Sequence, residues 1–440
     1  MPGVIEDTTV DLGPSGLPPG PDLSSARVAQ LWIERPIPFW EECAARYGEA
    51  FTVELGSLGT TVVFSNPEAI RQIFQLPPDL YQIRPFNDYY KSVMGDKALF
   101  LTDGPHHRHM RRALMPPLHR KVLETHGQAM RQHVRQAVAE WPDDRPFSPR
   151  PAMHRVSLEI MLGIIFGLGD DELSRAIARV FSEEIYKELG SWSAWTRFGH
   201  LQPLFRELIA RKIRQRREAG ELGGPALFDT LVGTRDENGE FLSDEEIQDH
   251  LFTMFVAGVD PTALSLTWLI YWTHEVPEVL ARLREEVAGL GPEATPAQIV
   301  GLPYLEAACQ ETLRMQPIPS TPSGRKLVGE AEISGRRYGP GVTLVTSTYL
   351  VHRRADLYPE PERFRPERFL ERSYGPHEYF PFGGGMRTCI GASLATIEMK
   401  LVLAEILACC KLIPAHEGPV VPARHGTLLA PSDTLKFRLG

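Results

Sequence analysis

Residues 243–274 read as a single long helix, and that helix sets the scale of the whole chain. Its start is marked by a capping box, Ser243 with Glu246 three residues on, and by acid in the first turn at Asp244 and Glu245. The helical pattern runs to about His274, ahead of Pro277. At a rise of 1.5 Å per residue this gives about 48 Å, enough to cross a domain. Its midpoint carries "AGVDPTAL" (257–264), where side chains can line an interior cavity. A proline in a helix interior removes a hydrogen bond and costs about 3 kcal/mol. The aspartate before it puts an ionisable group on an apolar face. The window 253–272 is long enough to span a bilayer, but Asp260 and Pro261 at its centre favour a buried core helix.

The rest of the chain reads as mainly α with a minor β portion. From about 105 to 220 the apolar spacing is helical. A helix covers "PYLEAACQETLRM" (303–315), and another follows Cys389, with Ile390, Leu394, Ile397, Leu401 and Ala404 in step. Two β-branched runs around "GSLG" in 47–67 suggest a hairpin, and 325–347 reads as short strands and turns. Residues 1–25, with "LPPGP" at 17–21, are expected to be a flexible lead-in, and 26–440 a single domain.

A net charge of −9 argues against a dedicated nucleic-acid binder. Basic clusters remain at 106–121 and 206–217, each either a solvated helix face or a docking site for a partner. Five cysteines, odd in number and without zinc spacing, argue against a disulfide framework and for a reducing compartment. With no basic-then-apolar signal segment at the N-terminus, the expectation is a soluble cytoplasmic protein without an integral membrane anchor.

The sharpest motif is "FGGGMRTCIG", Phe382 to Gly391, which fits F-x-x-G-x-R-x-C-x-G. The chemistry it suits is a thiolate ligand to haem iron, in which sulfur donates electron density that favours O–O cleavage. Cys389 is expected to open a helix whose dipole lowers the thiol pKa. Gly385 and Gly391 would allow a tight turn and close approach to a flat macrocycle, and Arg387 would pair with a haem propionate. An inert buried cysteine is the alternative, and it suits Cys43, Cys309, Cys409 and Cys410 better than Cys389.

With these residues in view the chain resembles the cytochrome P450 superfamily over nearly its whole length. Glu311 and Arg314 in "ETLR" match the family's E-x-x-R, and Arg368 in "FRPERF" matches the arginine that completes a buried cluster positioning the cysteine loop. Burying three charges is tolerable only when they satisfy one another. The resemblance makes His107 and Arg111 a propionate-binding pair and Arg325 a third propionate contact. It implies haem b as cofactor, held at Cys389. "LPPGP" resembles the proline-rich hinge of membrane-anchored relatives, with no hydrophobic anchor before it.

In the family the central helix carries (A/G)-G-x-(D/E)-T. Ala257, Gly258 and Asp260 match, but Pro261 stands in the threonine place and Thr262 follows it. The family's acid and alcohol deliver protons during oxygen activation and prevent loss of peroxide. A one-residue shift turns a helical side chain by about 100°, so Thr262 is not a direct substitute. Pro261 also leaves the Ala257 carbonyl without its backbone donor, open to water or a substrate hydroxyl. A structural kink without catalytic meaning is the alternative.

The resemblance therefore implies a monooxygenase that inserts one oxygen atom of O2 into an apolar small molecule: a fatty acid, terpenoid or polyketide-like compound. Lacking a flavin or iron–sulfur segment, it would draw electrons from a separate ferredoxin or flavodoxin with its reductase. Arg108, Arg112, Arg120 and Lys121 would dock that carrier. Because the threonine is absent, a peroxide-using or partner-independent peroxygenase or isomerase is the second reading, and a haem-thiolate sensor the third. The substrate pocket is expected from Phe86, Tyr89, Trp192, Trp195, Phe255, Ile318 and Leu428, with Tyr81, Tyr90, Phe181 and Phe198 nearby.

Overall fold

The structure is a computed structural model that describes residues 16–167, 175–176, 192–220, 222–224, 226–321, 323–425 and 427–440, with side chains left undescribed at 192–202. The central helix spans Asp244–Glu275, and Ser243 caps it by accepting a hydrogen bond from the Glu246 amide. The reciprocal half of the expected capping box does not form. The Glu246 carboxylate turns instead to His106, 3.3 Å away. The helix runs unbroken through Pro261. It is the one described helix long and apolar enough to cross a membrane, and most of it is buried inside the fold.

Its neighbours are apolar helices. It packs most extensively on the helix Arg150–Phe166, then on Ala392–Cys409 and Pro303–Met315. Leu251, Phe252, Leu264, Leu266, Trp268 and Leu269 are fully buried along it. Each such side chain contributes about 1.5–3 kcal/mol.

The strands are β1 (Ala50–Glu54), β2 (Thr60–Phe64), β3 (Tyr81–Gln82), β4 (Arg325–Leu327), β5 (Ala331–Ile333), β6 (Arg336–Tyr338), β7 (Thr343–Thr346), β8 (Leu412–Pro414), β9 (Pro422–His425), β10 (Leu428–Pro431) and β11 (Phe437–Leu439). β1 and β2 are the expected hairpin. They open a five-stranded sheet in the order β1-β2-β7-β4-β3, in which only β2 and β7 run parallel, with Val63 opposite Val345. β3, at the edge, pairs with β4 with Tyr81 opposite Leu327, and the Arg325 guanidinium lies over the Tyr81 ring, 5.4 Å from its centroid.

The segment expected to be a loose lead-in is docked from residue 17 onward. Thr52 donates its amide to the Pro19 carbonyl at 3.1 Å and its hydroxyl to the Pro18 carbonyl at 2.6 Å. Proline removes an amide but keeps a carbonyl, so two prolines can still satisfy the outer edge of β1. The first helix, Ser25–Glu34, starts immediately after.

Candidate active site

The cysteine segment is a tight loop that ends before a helix. A short 3-10 turn, Gly385–Arg387, precedes Cys389, and the Cys389 amide donates to the Phe382 carbonyl at 2.9 Å, closing the loop. The helix begins at Ala392, so Cys389 lies just outside it and does not open it as expected. Gly385 has φ +66°, and a Cβ there would sit 2.2 Å from the Phe74 carbonyl oxygen. Glycine is required at that point. Gly391 differs: its φ is −86°, and a Cβ would meet only the Cys389 sulfur at 3.8 Å. Gly391 acts instead through its amide, which hydrogen-bonds the sulfur.

Burial pushes the Cys389 thiol pKa up, against the Gly391 amide and the Arg111 charge, which pull it down. Burial wins in the chain alone. A thiolate here would be stabilised mainly by a cation that it ligated. Cys389 is enclosed by the fold and yet accessible, unlike Cys43 and Cys309, which are buried.

Four basic side chains gather beside it. Arg111 interacts electrostatically with both Cys389 and Arg387, and Arg387 with Arg325. His107, on the helix Gly104–Leu114, is pulled down to about 3 by burial and then by Arg387 and Arg111, so it is neutral at pH 7. Arg387 donates to the Thr102 carbonyl at 2.9 Å and to Asp103 at 2.5 Å. Arg325 is buried, bonds the Gly384 carbonyl at 3.1 Å, and keeps its Nε without a hydrogen-bond partner. A buried guanidinium with a spare donor is unfavourable unless an anion meets it.

Glu311, Arg314 and Arg368 form the buried cluster behind this loop. Glu311 accepts from Arg314 Nε at 2.6 Å, Arg314 Nη2 at 2.9 Å, Arg368 Nε at 3.0 Å and the Arg365 amide at 2.8 Å. Arg314 also donates to the His352 carbonyl, while His352 Nε2 accepts from the Phe380 amide. The cluster is thus tied to the chain two residues before Phe382.

The central helix has one break in its burial. From Ile247 to Tyr271 every residue is buried except Val256, Ala257, Gly258 and Pro261, and Ala257 is exposed. That opening lies at the expected midpoint and is lined by small or apolar groups. Tyr90, Phe100 and Val256 all pack on the small cluster of Met94, Ala98 and Leu101. Thr262 is buried behind the opening, its hydroxyl donating to the Gly258 carbonyl at 2.8 Å. Asp260 is buried as well, with Oδ1 3.0 Å from His154 Nε2 and Oδ2 3.5 Å from His425 Nε2. These two histidines hold the Asp260 carboxyl below the usual carboxylate range despite its burial. His154 Nδ1 meets the Arg150 carbonyl at 3.0 Å and must carry a proton to do so. Its contact with Asp260 is then attractive only if a second proton sits between them.

The family model for cytochrome P450 matches residues 18–439. The chain belongs to the cytochrome P450 family. Cytochrome P450 135B1 of Mycobacterium tuberculosis is 32% identical to this P450, covering 96% of this chain and 91% of the relative. Cytochrome P450 137 of the same organism is 30% identical, over 89% and 83% respectively. Among solved structures, a cyanobacterial CYP120A1 described as bound to retinoic acid superposes with TM-score 0.81 at 21% identity, covering 96% of this chain and 99% of that one. The cytochrome P450DA haem domain gives 0.80 at 22% identity, covering 96% of each chain. P450s are haem-thiolate monooxygenases, and the residues here fit that cofactor: an accessible sulfur, a neutral buried histidine, and three arginines, one with an unspent donor.

Several expected pocket residues are packed among core side chains. Phe255 is buried in an aromatic core with Phe166 and Phe205, and Ile318 is likewise core. Phe86 packs under Gly324 and the first sheet, and Tyr81 stands against Arg325. Aromatic character marked these residues, but in a large fold it marks core packing more often. Tyr89 is exposed and Leu428 half-buried. The side chains of Trp192, Trp195 and Phe198, and all of Phe181, lie outside the described residues. Sequence reading missed His154, His425, Asp103 and His352. Only Asp103, just before a Gly-Pro helix start, carried a signal, and it reads as a cap rather than an arginine partner.

Proposed function

We propose that this P450 inserts one oxygen atom of O2 into an apolar small molecule of the fatty acid, terpenoid or polyketide-like class. Residues 26–440 then act as one catalytic unit. The observation that carries the reading is the small-residue opening at Val256–Gly258 and Pro261 in an otherwise buried central helix.

Haem b, held at Cys389, supplies the oxygen-activating chemistry when bound. Gly391 and Arg111 would steady the sulfur, and Arg111, Arg325 and Arg387 would neutralise the propionates, with neutral His107 as a hydrogen-bonding partner. Glu311, Arg314 and Arg368 fix the chain that leads into the loop. At the opening Pro261 offers no donor, and the Thr262 hydroxyl is committed to Gly258. Protons therefore come from Asp260 through ordered water, with a substrate hydroxyl or carboxyl completing the path.

Electrons arrive from a separate ferredoxin or flavodoxin. Arg112, Arg120 and Lys121 are exposed and available to an acidic carrier.

Peroxide release with and without substrate, in wild type and Pro261→Thr, tests the proton route. Pro261→Thr should lower peroxide release, most of all with substrates lacking a hydroxyl. Unchanged coupling for every substrate removes position 261 from proton delivery. The engaged Thr262 and the turned Asp260 also favour a second reading, a peroxide-using enzyme. Turnover with hydrogen peroxide alone, at the rate of the reductase-supported assay, would select it.

A further inference from the structure

We propose that His154, Asp260 and His425 form a binding site for a divalent transition metal, Zn2+ in the first instance, behind the central helix and separate from the haem-ligating cysteine. The three residues come from the helix Arg150–Phe166, the central helix and β9, elements far apart in the chain. Their ligand atoms all lie within 4.8 Å of one another, and all three side chains are buried.

The proton count makes the site more than a hydrogen-bonded trio. The Arg150 carbonyl takes the Nδ1 proton of His154, so with one proton on the ring the Nε2 lone pair would face the Asp260 carboxylate, 3.0 Å away. Lone pair against carboxylate is repulsive. The contact needs a positive centre on the line between them, either a second proton or a metal cation. An imidazole whose far nitrogen is held by a backbone carbonyl is also the usual orientation of a metal-ligating histidine.

His425 supplies the independent observation. It is 94% buried, its Nε2 lies 3.5 Å from Asp260 Oδ2, and that nitrogen has no hydrogen-bond partner. A buried ring nitrogen that reaches a carboxylate at ion-pair distance without a well-formed hydrogen bond is incompletely satisfied. Coordination would satisfy it. Two imidazoles and one carboxylate, with water in a fourth place, suit Zn2+, whereas Ca2+ and Mg2+ favour all-oxygen shells. Among the described residues Tyr90 faces Asp260, and Arg424, Thr427 and Tyr89 lie beside Tyr90.

Zn2+ takes the place of the shared proton, which passes to solvent, and Asp260 becomes a metal ligand. This consequence rests on the proposed role of Asp260 in proton delivery. Binding should then raise peroxide release at the expense of product.

The test uses the haem-loaded enzyme, treated with chelator and then titrated with Zn2+ by calorimetry in buffers of differing ionisation heat. One zinc per chain with release of about one proton is expected. Affinity should fall on the order of 100-fold in His154→Gln and in His425→Gln, but not in His377→Gln on the surface. Equal binding in wild type and both variants, or none in wild type, overturns the site. Anomalous diffraction at the zinc edge from wild-type crystals soaked in Zn2+ answers the same question without any variant. A peak between the three residues supports the site, and its absence overturns it. Site-specific binding that leaves peroxide release unchanged keeps the site and refutes Asp260 as a proton donor.

Discussion

Replacing Glu311 by glutamine removes one charge and almost no volume, which makes it a clean probe of the buried cluster. In the wild type the carboxylate receives four hydrogen bonds, three from the guanidinium groups of Arg314 and Arg368 and one from the Arg365 amide. All three charged side chains are buried, at 0%, 0% and 2% exposure. Glutamine keeps one acceptor oxygen but turns an NH2 group toward guanidinium donors, and it leaves two positive charges without a counter-charge. Removing one partner of a buried pair costs about 3–5 kcal/mol, and the cost falls on a domain whose total stability is about 5–15 kcal/mol. Urea unfolding of the haem-loaded protein should be followed by Soret absorbance and by tryptophan fluorescence together, because a bound cofactor can separate the two transitions. The expected result is a lower midpoint in both, with the Soret signal lost first, since the cluster is tied to the cysteine loop through His352 and Phe380. Glu371→Gln, which breaks the exposed pair with Arg365, is the control and should cost no more than about 1 kcal/mol. If Glu311→Gln behaves like that control, charge compensation is not what holds Arg314 and Arg368, and the reasoning fails.

Two glycines of the cysteine motif should separate sharply. Gly385→Ala meets the Phe74 backbone at 2.2 Å from a left-handed conformation and should cost at least about 2 kcal/mol and weaken the reduced carbon-monoxide band. Gly391→Ala, with only ordinary contact at 3.8 Å, should stay within about 1 kcal/mol of wild type by the same assays. Glu398, buried against Ser157, is pushed up to about 8 by burial. A carboxyl raised in the folded state gives stability that is full below its unfolded value and is lost as pH rises toward 8. The swing is on the order of 4 kcal/mol, and Glu398→Gln should flatten the fall in stability between pH 5 and 8. Stopped-flow reduction should slow in Arg112→Glu and lose much of its salt dependence, while an unchanged salt slope would place the carrier elsewhere.

The elements legible in the sequence were those with local signals. The central helix announced itself by length, Ser243 and Pro277; the hairpin by its β-branched runs; and the cysteine loop by a motif whose spacing is a covalent constraint. Glu311 and Arg314 meet because i and i+3 share a helix face. What stayed hidden depended on contacts between distant elements. His154 and His425 are separated from Asp260 by 106 and 165 positions, and no local pattern marks either as its partner. The docking of 17–21 was missed because prolines read as loop, although their carbonyls can serve a strand edge. Phe255 and Ile318 carry a real signal, burial, that does not distinguish a core from a pocket.

The orientation of Asp260 bears directly on what Pro261 does. If the proline had merely removed an alcohol from an otherwise ordinary site, the acid beside it would serve the opening directly rather than through water. Instead Asp260 is turned to two histidines, and Thr262 is spent on the Gly258 carbonyl. The exposed turn thus presents Val256, Ala257, Gly258 and Pro261, which together carry no side-chain donor at all. What that turn does offer is an acceptor, because Pro261 has no amide to give the Ala257 carbonyl. A site with an unpaired acceptor and no donor favours a ligand that brings its own hydroxyl. On the proposed function the missing alcohol would act as a specificity element: the group the helix lacks is the group a well-coupled substrate should carry.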